Sequence, residues 1–240
     1  MTATNNKTRL LVHGVSGRMG QALLRLARER DDMEVVAAVS RAQPGQRVVD
    51  GVPQFSAKEL HGVPAFDVAI DFSLPAGLAT ILGLCTQRRA ALVSGTTGID
   101  DALRAQMKEA SAHLPILWAA NFSLGVAVLS ELVERAAAAL PGWDCDIVES
   151  HHVHKLDAPS GTALALGASA EQGGATPRYA SVRAGDIVGE HLVQFTGLGE
   201  RVELNHRATD RDVFARGALH AAARLPGRPP GLYRLRDLLS

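Results

Sequence analysis

Hydrophobic positions in the first half of the chain form short unbroken runs separated by amphipathic stretches, the pattern of buried parallel strands covered by helices. Arg9-Leu10-Leu11-Val12-His13 reads as a strand, followed by a helix with Ala22, Leu23, Leu26 and Ala27 on its apolar face and Arg25, Arg28 and Glu29 outward. Met33 to Val39, Phe66 to Phe72, Ala91 to Val93 and Pro115 to Ala119 predict four further strands. Between them, Ser73 is the expected cap of a helix begun near Pro75, and Asp100 that of a helix through Ala112. Strand and helix alternating in this way predict an α/β fold with a doubly wound parallel sheet. Its loops after Val12, Val39, Ile70, Val93 and Trp118 should gather along one edge, where sheets of this kind bind ligands.

From Ser123 the pattern changes. A helix to Leu140 is expected to bury Val128, Leu129, Leu132, Ala136 and Ala139, and Pro141-Gly142 ends it. A strand runs on through Ile147 and Val148 to the histidines, where period-two geometry places His152 and His154 on one face and His151 and Val153 on the other. After a helix from Ser160, three strand candidates follow without helices between them: Tyr179 to Arg183, His191 to Thr196 and Arg201 to Arg207. Val202 and Leu204 alternate with polar neighbours and predict one buried face. A second α+β domain on a mixed or antiparallel sheet is therefore expected over 123–211, with 1–122 and 212–240 forming the first. Phe214 to Leu225 is the last helix, and Leu232, Leu235, Leu238 and Leu239 should pack back on the first domain.

Composition excludes several classes. Lys+Arg and Asp+Glu number 25 each in 240 residues, so there is no electrostatic footprint for nucleic acid, and no basic amphipathic run suggests a membrane surface. No apolar run approaches the ~18 residues of a membrane span. The two cysteines, Cys85 and Cys145, have no metal spacing and suit a reducing cytoplasm. The polar start MTATNNKTR reads as a disordered lead.

Two stretches carry chemistry. Between the first strand and helix lies GVSGRMG, where Gly14 permits the tight turn, Gly17 lets a pyrophosphate approach the backbone and Gly20 lets helix and strand pack closely. The second strand ends in Ser40-Arg41 instead of the acid usual in NAD sites; Arg41 either pairs with a 2′-phosphate, favouring NADPH, or only opens a solvent loop. Gly95, Thr96 and Thr97 offer close approach and hydroxyls after the fourth strand. The second stretch, ESHHVHKLDAPSGTALAL, sets three histidines and Lys155 ahead of a helix start with Ser160 as N-cap, where Gly161 and Thr162 N–H groups can hold a carboxylate or phosphate. Metal binding by His151, His152 and His154 is disfavoured because adjacent strand residues diverge; a substrate site for an anion needing proton transfer fits better than a plain surface cluster.

GVSGRMG, DFSLP, SGTTGI, AANFSLGV, HHVHKLDAPSGTA, VRAGDIVGEH and GLYRLRDLL, in that order, resemble the 4-hydroxy-tetrahydrodipicolinate reductase (dihydrodipicolinate reductase) family over nearly the whole chain. The resemblance implies an N-terminal Rossmann-type domain, a C-terminal domain whose sheet builds a homotetramer, and reduction of a cyclic dicarboxylate by NADPH or NADH. It implies that Gly14, Val15, Ser16, Gly17, Arg18 and Met19 hold the pyrophosphate and that Arg41, beside Ser40, meets the 2′-phosphate. Phe72, Gly95, Thr96, Thr97, Ala119, Ala120, Asn121 and Phe122 would line the nicotinamide side. His151 and Lys155 match the proton-transfer residues, His152 a substrate contact, and Gly161 and Thr162, after Ser160, the grip on a substrate carboxylate. Ser40 departs from the acid common in the family, and the chain is short around residues 42–53 and 171–181, the second of which could trim the loops of the oligomerising sheet. An aspartate-dehydrogenase-like oxidoreductase and a non-catalytic nucleotide-binding protein are the alternatives.

Overall fold

The computed structural model describes residues 7–239, so the expected polar lead falls largely outside the described residues. The chain forms two compact units, one of 1–122 with 214–240 and one of 123–213.

The first unit is built on β1 (Thr8–His13), β2 (Met33–Ser40), β3 (Val48–Val49), β4 (Val52–Ser56), β5 (Val68–Asp71), β6 (Ala91–Ser94), β7 (Pro115–Trp118) and β12 (Gly231–Tyr233). Its eight strands lie in the order β12-β7-β6-β5-β1-β2-β4-β3, parallel except for the short β3–β4 pair. Successive strands step outward from β1 in one direction through β2 and in the other through β5, so the order reverses between β1 and β5. Loops diverge there and leave a crevice. The central strands are apolar on both faces because α1 (Arg18–Ala27), α2 (Pro75–Arg88), α3 (Asp101–Ala110) and α6 (Asp212–Arg224) supply the covering layers. Leu11, Ala69, Leu78, Ile81, Leu92 and Ile116 have no exposed surface in this core, and each large side chain so buried contributes about 1.5–3 kcal/mol.

The second unit comprises α4 (Leu124–Ala139), β8 (Asp144–His151), α5 (Gly161–Gln172), β9 (Pro177–Arg183), β10 (Gly189–Thr196) and β11 (Arg201–Ala208). Its four strands run β11-β10-β8-β9, with β8 and β9 parallel and the others antiparallel, a mixed sheet as expected. Leu129, Val133, Ile147, Leu166, Val193 and Phe195 form its own core.

Several details differ from the sequence expectation. Helix α4 buries Val126, Leu129, Val133 and Ala137, while Val128 and Leu132 are exposed. Apolar residues surround that helix, so periodicity alone does not choose the face; packing on the sheet and α5 does. Helix α1 buries Leu24 and leaves Ala22 partly exposed. Ser73 donates to the Leu74 carbonyl instead of capping α2, which begins with Pro75 at its first turn. Val202 is exposed and Leu204 only half-buried on the edge strand β11, and Leu232 is exposed in β12. The strands β3, β4 and β12 were not anticipated. They are short, and their neighbourhoods are rich in the glycine and proline that mark turns.

Close packing makes some glycines obligatory. A Cβ on Gly20 would lie 2.4 Å from the Gly14 carbonyl oxygen and 2.5 Å from the Val15 Cα, whereas Gly83, exposed within α2, has nothing within 4 Å. Gly20→Ala is therefore expected to lower the thermal midpoint and Gly83→Ala to stabilise by about 0.5–1 kcal/mol. Denaturant unfolding of the two variants checks both signs.

Candidate active site

In the first unit the predicted cofactor residues meet at the carboxyl ends of the strands. Gly14 takes φ +86°, and a Cβ there would lie 2.5 Å from the Phe72 carbonyl oxygen, so the loops after β1 and β5 nearly touch at the switch point. The Gly14 and Val15 amides donate to the Val39 carbonyl at 2.9 and 3.2 Å, and Gln21 Nε2 donates to the Val15 carbonyl. Val15 is buried as the anchor; Ser16, Gly17 and Arg18 are exposed, and Met19 is half-buried. Gly17 is the N-cap of α1 and, having no side chain, makes no side-chain cap, so the first turn of the helix keeps its anion-receptive character. That arrangement fits a pyrophosphate. Ser40 and exposed Arg41 stand at the end of β2, with Ser40 Oγ donating to the Ala42 carbonyl.

On the other side of the crevice, Phe72 and Phe122 have ring centroids 5.4 Å apart, and a Cβ on Gly95 would enter the Phe72 ring. Gly95 is thus dictated by the aromatic lying across it. Thr97 and Ala120 are exposed, Ala119 and Asn121 half-buried, and Phe122 buried. Thr96 corrects the expectation that its hydroxyl faces the cofactor. It is buried, donates to Asp71 Oδ2 at 2.7 Å, accepts from the Ser73 amide and gives its carbonyl to Trp118 Nε1.

Thr96 belongs to a network the sequence reading missed. Asp71 Oδ1 lies 2.7 Å from His13 Nδ1, and Asp71 Oδ2 also accepts from Ser94 Oγ. His13, Asp71 and Ser94 end three adjacent strands in register. Burial pushes the Asp71 carboxyl up, but hydrogen bonds from His13, Ser73 and Thr96 hold it below the usual range. The available signal was a charged residue closing an otherwise apolar strand.

In the second unit, alternation explains where chemistry begins. Cys145, Ile147, Glu149 and His151 point to the buried face of β8, and Val193 and His191 to that of β10, so this face turns from apolar to polar at one end. Strand β8 stops at His151; His152 is followed by a turn in which the Lys155 amide donates to the His152 carbonyl. The expected alternation over 151–154 therefore ends at its first residue, and the His152 and His154 rings stand 6.2 Å apart. His152 is half-buried, and its Nδ1 has no hydrogen-bond partner among the described residues.

The Glu149 carboxylate, fully buried, organises this end. Arg183 donates to both its oxygens at 2.9 and 2.8 Å, His151 Nδ1 lies 2.5 Å from Oε2, and the Ser160 amide donates to Oε1 at 3.2 Å. Arg183 also donates to the carbonyls of Lys155 and Asp157, tying the loop to the strand. Burial raises the Glu149 carboxyl, but Arg183, Ser181 and His151 bring it down to about 2.

Ser160 is the expected N-cap of α5, and its hydroxyl is not turned towards a ligand. It is buried; its Oγ accepts from the Ala163 amide as the α5 cap and lies 3.2 Å from His191 Nε2, so its hydroxyl is engaged internally. Gly161 has open space where a side chain would be, and Thr162 beside it is half-buried. Lys155 is not a loose charge, because its Nζ pairs with Asp157 Oδ1 at 2.8 Å. Asp157 also takes a hydrogen bond from the Gly161 backbone, so an exposed carboxylate of the protein sits at the start of α5. Burial pulls His151 below its ordinary value against the opposing pull of Glu149. His191, buried and near His151 and His206, falls to about 4. Arg183, Glu149 and His191 were not singled out from sequence, since each acts through contacts between strands distant in the chain. Among the described residues no group of three or more His, Cys, Asp or Glu is placed to hold a metal ion.

A glycine loop at a parallel-sheet switch point, with a separate unit carrying histidine, lysine and an anion-receptive helix start, is the architecture of a dinucleotide-dependent oxidoreductase. Family models described as dihydrodipicolinate reductase N-terminus and C-terminus match residues 8–122 and 125–239. The chain belongs to the dihydrodipicolinate reductase family. It is 70% identical to the 4-hydroxy-tetrahydrodipicolinate reductase of Xanthomonas campestris pv. campestris over 98% of this chain and 99% of that one. It is also 70% identical to the reductase of the same name from Stenotrophomonas maltophilia over 96% and 97%. A dipicolinate-bound dihydrodipicolinate reductase from Paenisporosarcina sp. TG-14 shares the fold with TM-score 0.84, 24% identity, and 97% and 99% coverage. Aspartate dehydrogenase from Thermotoga maritima shares the fold more distantly, with TM-score 0.54 and 13% identity over 90% and 95% of the two chains.

The buried groups set a direction for acid sensitivity. His191 carries a folded value of about 4 against 6.5, so the unfolded chain protonates first and stability falls as pH drops through that interval. Glu149, at about 2 against 4.5, contributes stability that is present above 4.5 and lost as pH falls towards 2. The thermal midpoint is expected to decline steadily from neutrality to acid; scanning calorimetry across pH checks this, and a rise on acidification to about pH 4 contradicts it.

Proposed function

We propose that this chain reduces 4-hydroxy-tetrahydrodipicolinate to tetrahydrodipicolinate with a nicotinamide cofactor, in lysine and diaminopimelate biosynthesis. The reading is carried by full-length identity of 70% to relatives named for that activity. The His151, Lys155 and Gly161 constellation supplies chemistry that fits it.

The glycine loop from Gly14 to Met19 binds the pyrophosphate, and Gly95, Thr97 and residues 119–122 line the nicotinamide side, with Phe72 packed on Gly95. When bound, the reduced cofactor supplies hydride to the substrate ring once water has left. Lys155 and His151 manage the accompanying proton, which ends on the carbon next to the one that receives hydride. His152 contacts the substrate, its otherwise unpartnered Nδ1 supporting that role. Gly161 and Thr162 hold a substrate carboxylate at the start of α5, which displaces Asp157 from the Gly161 amide and from Lys155. An exposed ion pair of this type is worth ~0–1 kcal/mol, so the exchange is cheap.

The preference for NADPH rests on Ser40 and Arg41: no acid stands at the end of β2 to repel a 2′-phosphate, and an exposed guanidinium stands ready to pair with one. The proposed homotetramer rests on the face of the second sheet opposite its core, where Val182 on β9 is exposed and Val148 on β8 and Leu192 on β10 are only half-buried. A cytoplasmic site of action accords with two reduced, buried cysteines. Among the described residues no helix is long and apolar enough to cross a membrane.

Replacing Lys155 or His151 by alanine is expected to lower turnover by on the order of 10²–10⁴-fold, with NADPH binding nearly unchanged. Arg41→Ala should raise KM for NADPH by roughly tenfold while sparing that for NADH. Both are read from nicotinamide absorbance with freshly generated substrate. Wild-type rates in both the Lys155 and His151 variants would remove their assigned roles. Light scattering should give four times the chain mass, and Val182→Glu should shift it towards smaller species.

A further inference from the structure

Resting on the proposed reaction, with Lys155 as its proton donor, we infer that Glu149 is a positioning residue of the site: it fixes His151 with its proton on Nδ1 and a lone pair on Nε2.

The argument is one of donor and acceptor capacity. An ionised carboxylate only accepts, and Glu149 is kept ionised by the two-pronged contact of Arg183 and by the Ser160 amide. The imidazole nitrogen facing it, Nδ1 of His151, must therefore donate. A second proton on Nε2 would make an imidazolium in a buried place whose other near groups are Arg183, Lys155 and the His191 ring, centred 5.2 Å away. Arg183 neutralises Glu149 before His151 can, so the pair has no net charge to attract that proton. The Nε2 edge lies beside Gly189, where an added Cβ would come within 3.1 Å. The absence of a side chain keeps that edge clear for a group that donates to it.

Lys155 has the complementary character. Its Nζ has three donors and no acceptor, and its present partner Asp157 is exposed and exchangeable. In the reducing step, hydride adds to one ring carbon while the adjacent carbon takes a proton from the Lys155 ammonium. The resulting neutral amine regains its proton from water, and His151 Nε2 accepts a hydrogen bond without changing charge. Glu149 is thus a positioning residue that never touches the substrate, acting through the orientation and tautomer of His151 and through the loop that Arg183 holds.

Nitrogen-15 NMR of the unligated, histidine-labelled protein near neutral pH reads the tautomer directly, with the His151 signals assigned by their loss in His151→Asn. The expected result is an Nδ1 in the protonated, pyrrole-like range coupled to an Nε2 in the unprotonated range. Glu149→Gln, whose amide can donate as well as accept, should mix the tautomers and lower kcat by on the order of 10²-fold with KM for NADPH unchanged. Arg183→Lys, which keeps a positive partner for Glu149, should retain the wild-type tautomer and lose less activity. A wild-type His151 that carries its proton on Nε2, or on both nitrogens, overturns the inference, as does a folded Glu149→Gln enzyme with wild-type kcat. If Glu149→Gln does not fold, the wild-type spectrum alone decides. A protein with the expected tautomer that fails to reduce the substrate would instead refute the proposed reaction, so the two failures remain distinct.

Discussion

A carboxylate with no exposed surface is tolerable only if its hydrogen-bonding capacity is filled and its charge matched, and Glu149 imposes that demand on the second unit. Meeting it draws Arg183 across from β9, turns His151 edge-on at the end of β8 and sets the Ser160 amide at the mouth of α5. Three separate segments are thereby fixed by one acid. The Arg183 contacts to the Lys155 and Asp157 carbonyls extend the same restraint to the loop between strand and helix. The residues proposed to handle the proton, His151 and Lys155, are consequently placed by a buried charge.

The first unit repeats the device with other residues. Asp71 closes β5, takes His13 from one neighbouring strand, the Ser94 hydroxyl from the end of β6 and the Thr96 hydroxyl from the loop after it, and has no exposed surface. There the acid braces loops, since Thr96 is tied to it and the Ser73 amide and Trp118 are tied to Thr96. In both units a strand carries, at or near its carboxyl end, a buried acid paired with histidine, at the edge where its ligand is expected. Such polar ends have a physical basis: strand termini release backbone groups from the ladder and need side chains that can anchor the departing loops.

Much of this was legible in the chain because the signals were local. The runs Leu10 to Val12 and Phe66 to Phe72, the glycine spacing after His13 and the Ser160 cap each depend on neighbours within a few residues. The second sheet was legible as strands, but its parallel β8–β9 pair was not specified, because strand direction depends on the path of the connection. The buried face of α4 was misjudged for want of polar contrast around the helix. Glu149, Arg183, His191 and Asp71 were hidden for one reason: their meaning lies in register between strands, as when His191 pairs with Glu149 across β10 and β8. Thr96 was given an outward role because a hydroxyl in a motif looks available until its partners are seen.

The interactions around the proposed substrate position differ in kind, and the difference suits a binding site. Glu149 with Arg183 is buried and bidentate, the sort of pair whose disruption leaves an uncompensated charge and is strongly unfavourable. Lys155 with Asp157 is a single contact to a carboxylate that is 58% exposed, the sort whose loss is nearly neutral. Rigidity is therefore concentrated behind the reacting groups and exchangeability in front of them. On the proposed binding mode, a dianionic ring that supplied its own carboxylate to Gly161 and Lys155 would replace an internal contact with an equivalent external one, while the scaffold set by Glu149 stays unchanged. The polarity of that exchange selects for anions: a neutral ring could remove Asp157 from Lys155 only by leaving the ammonium with water as its partner.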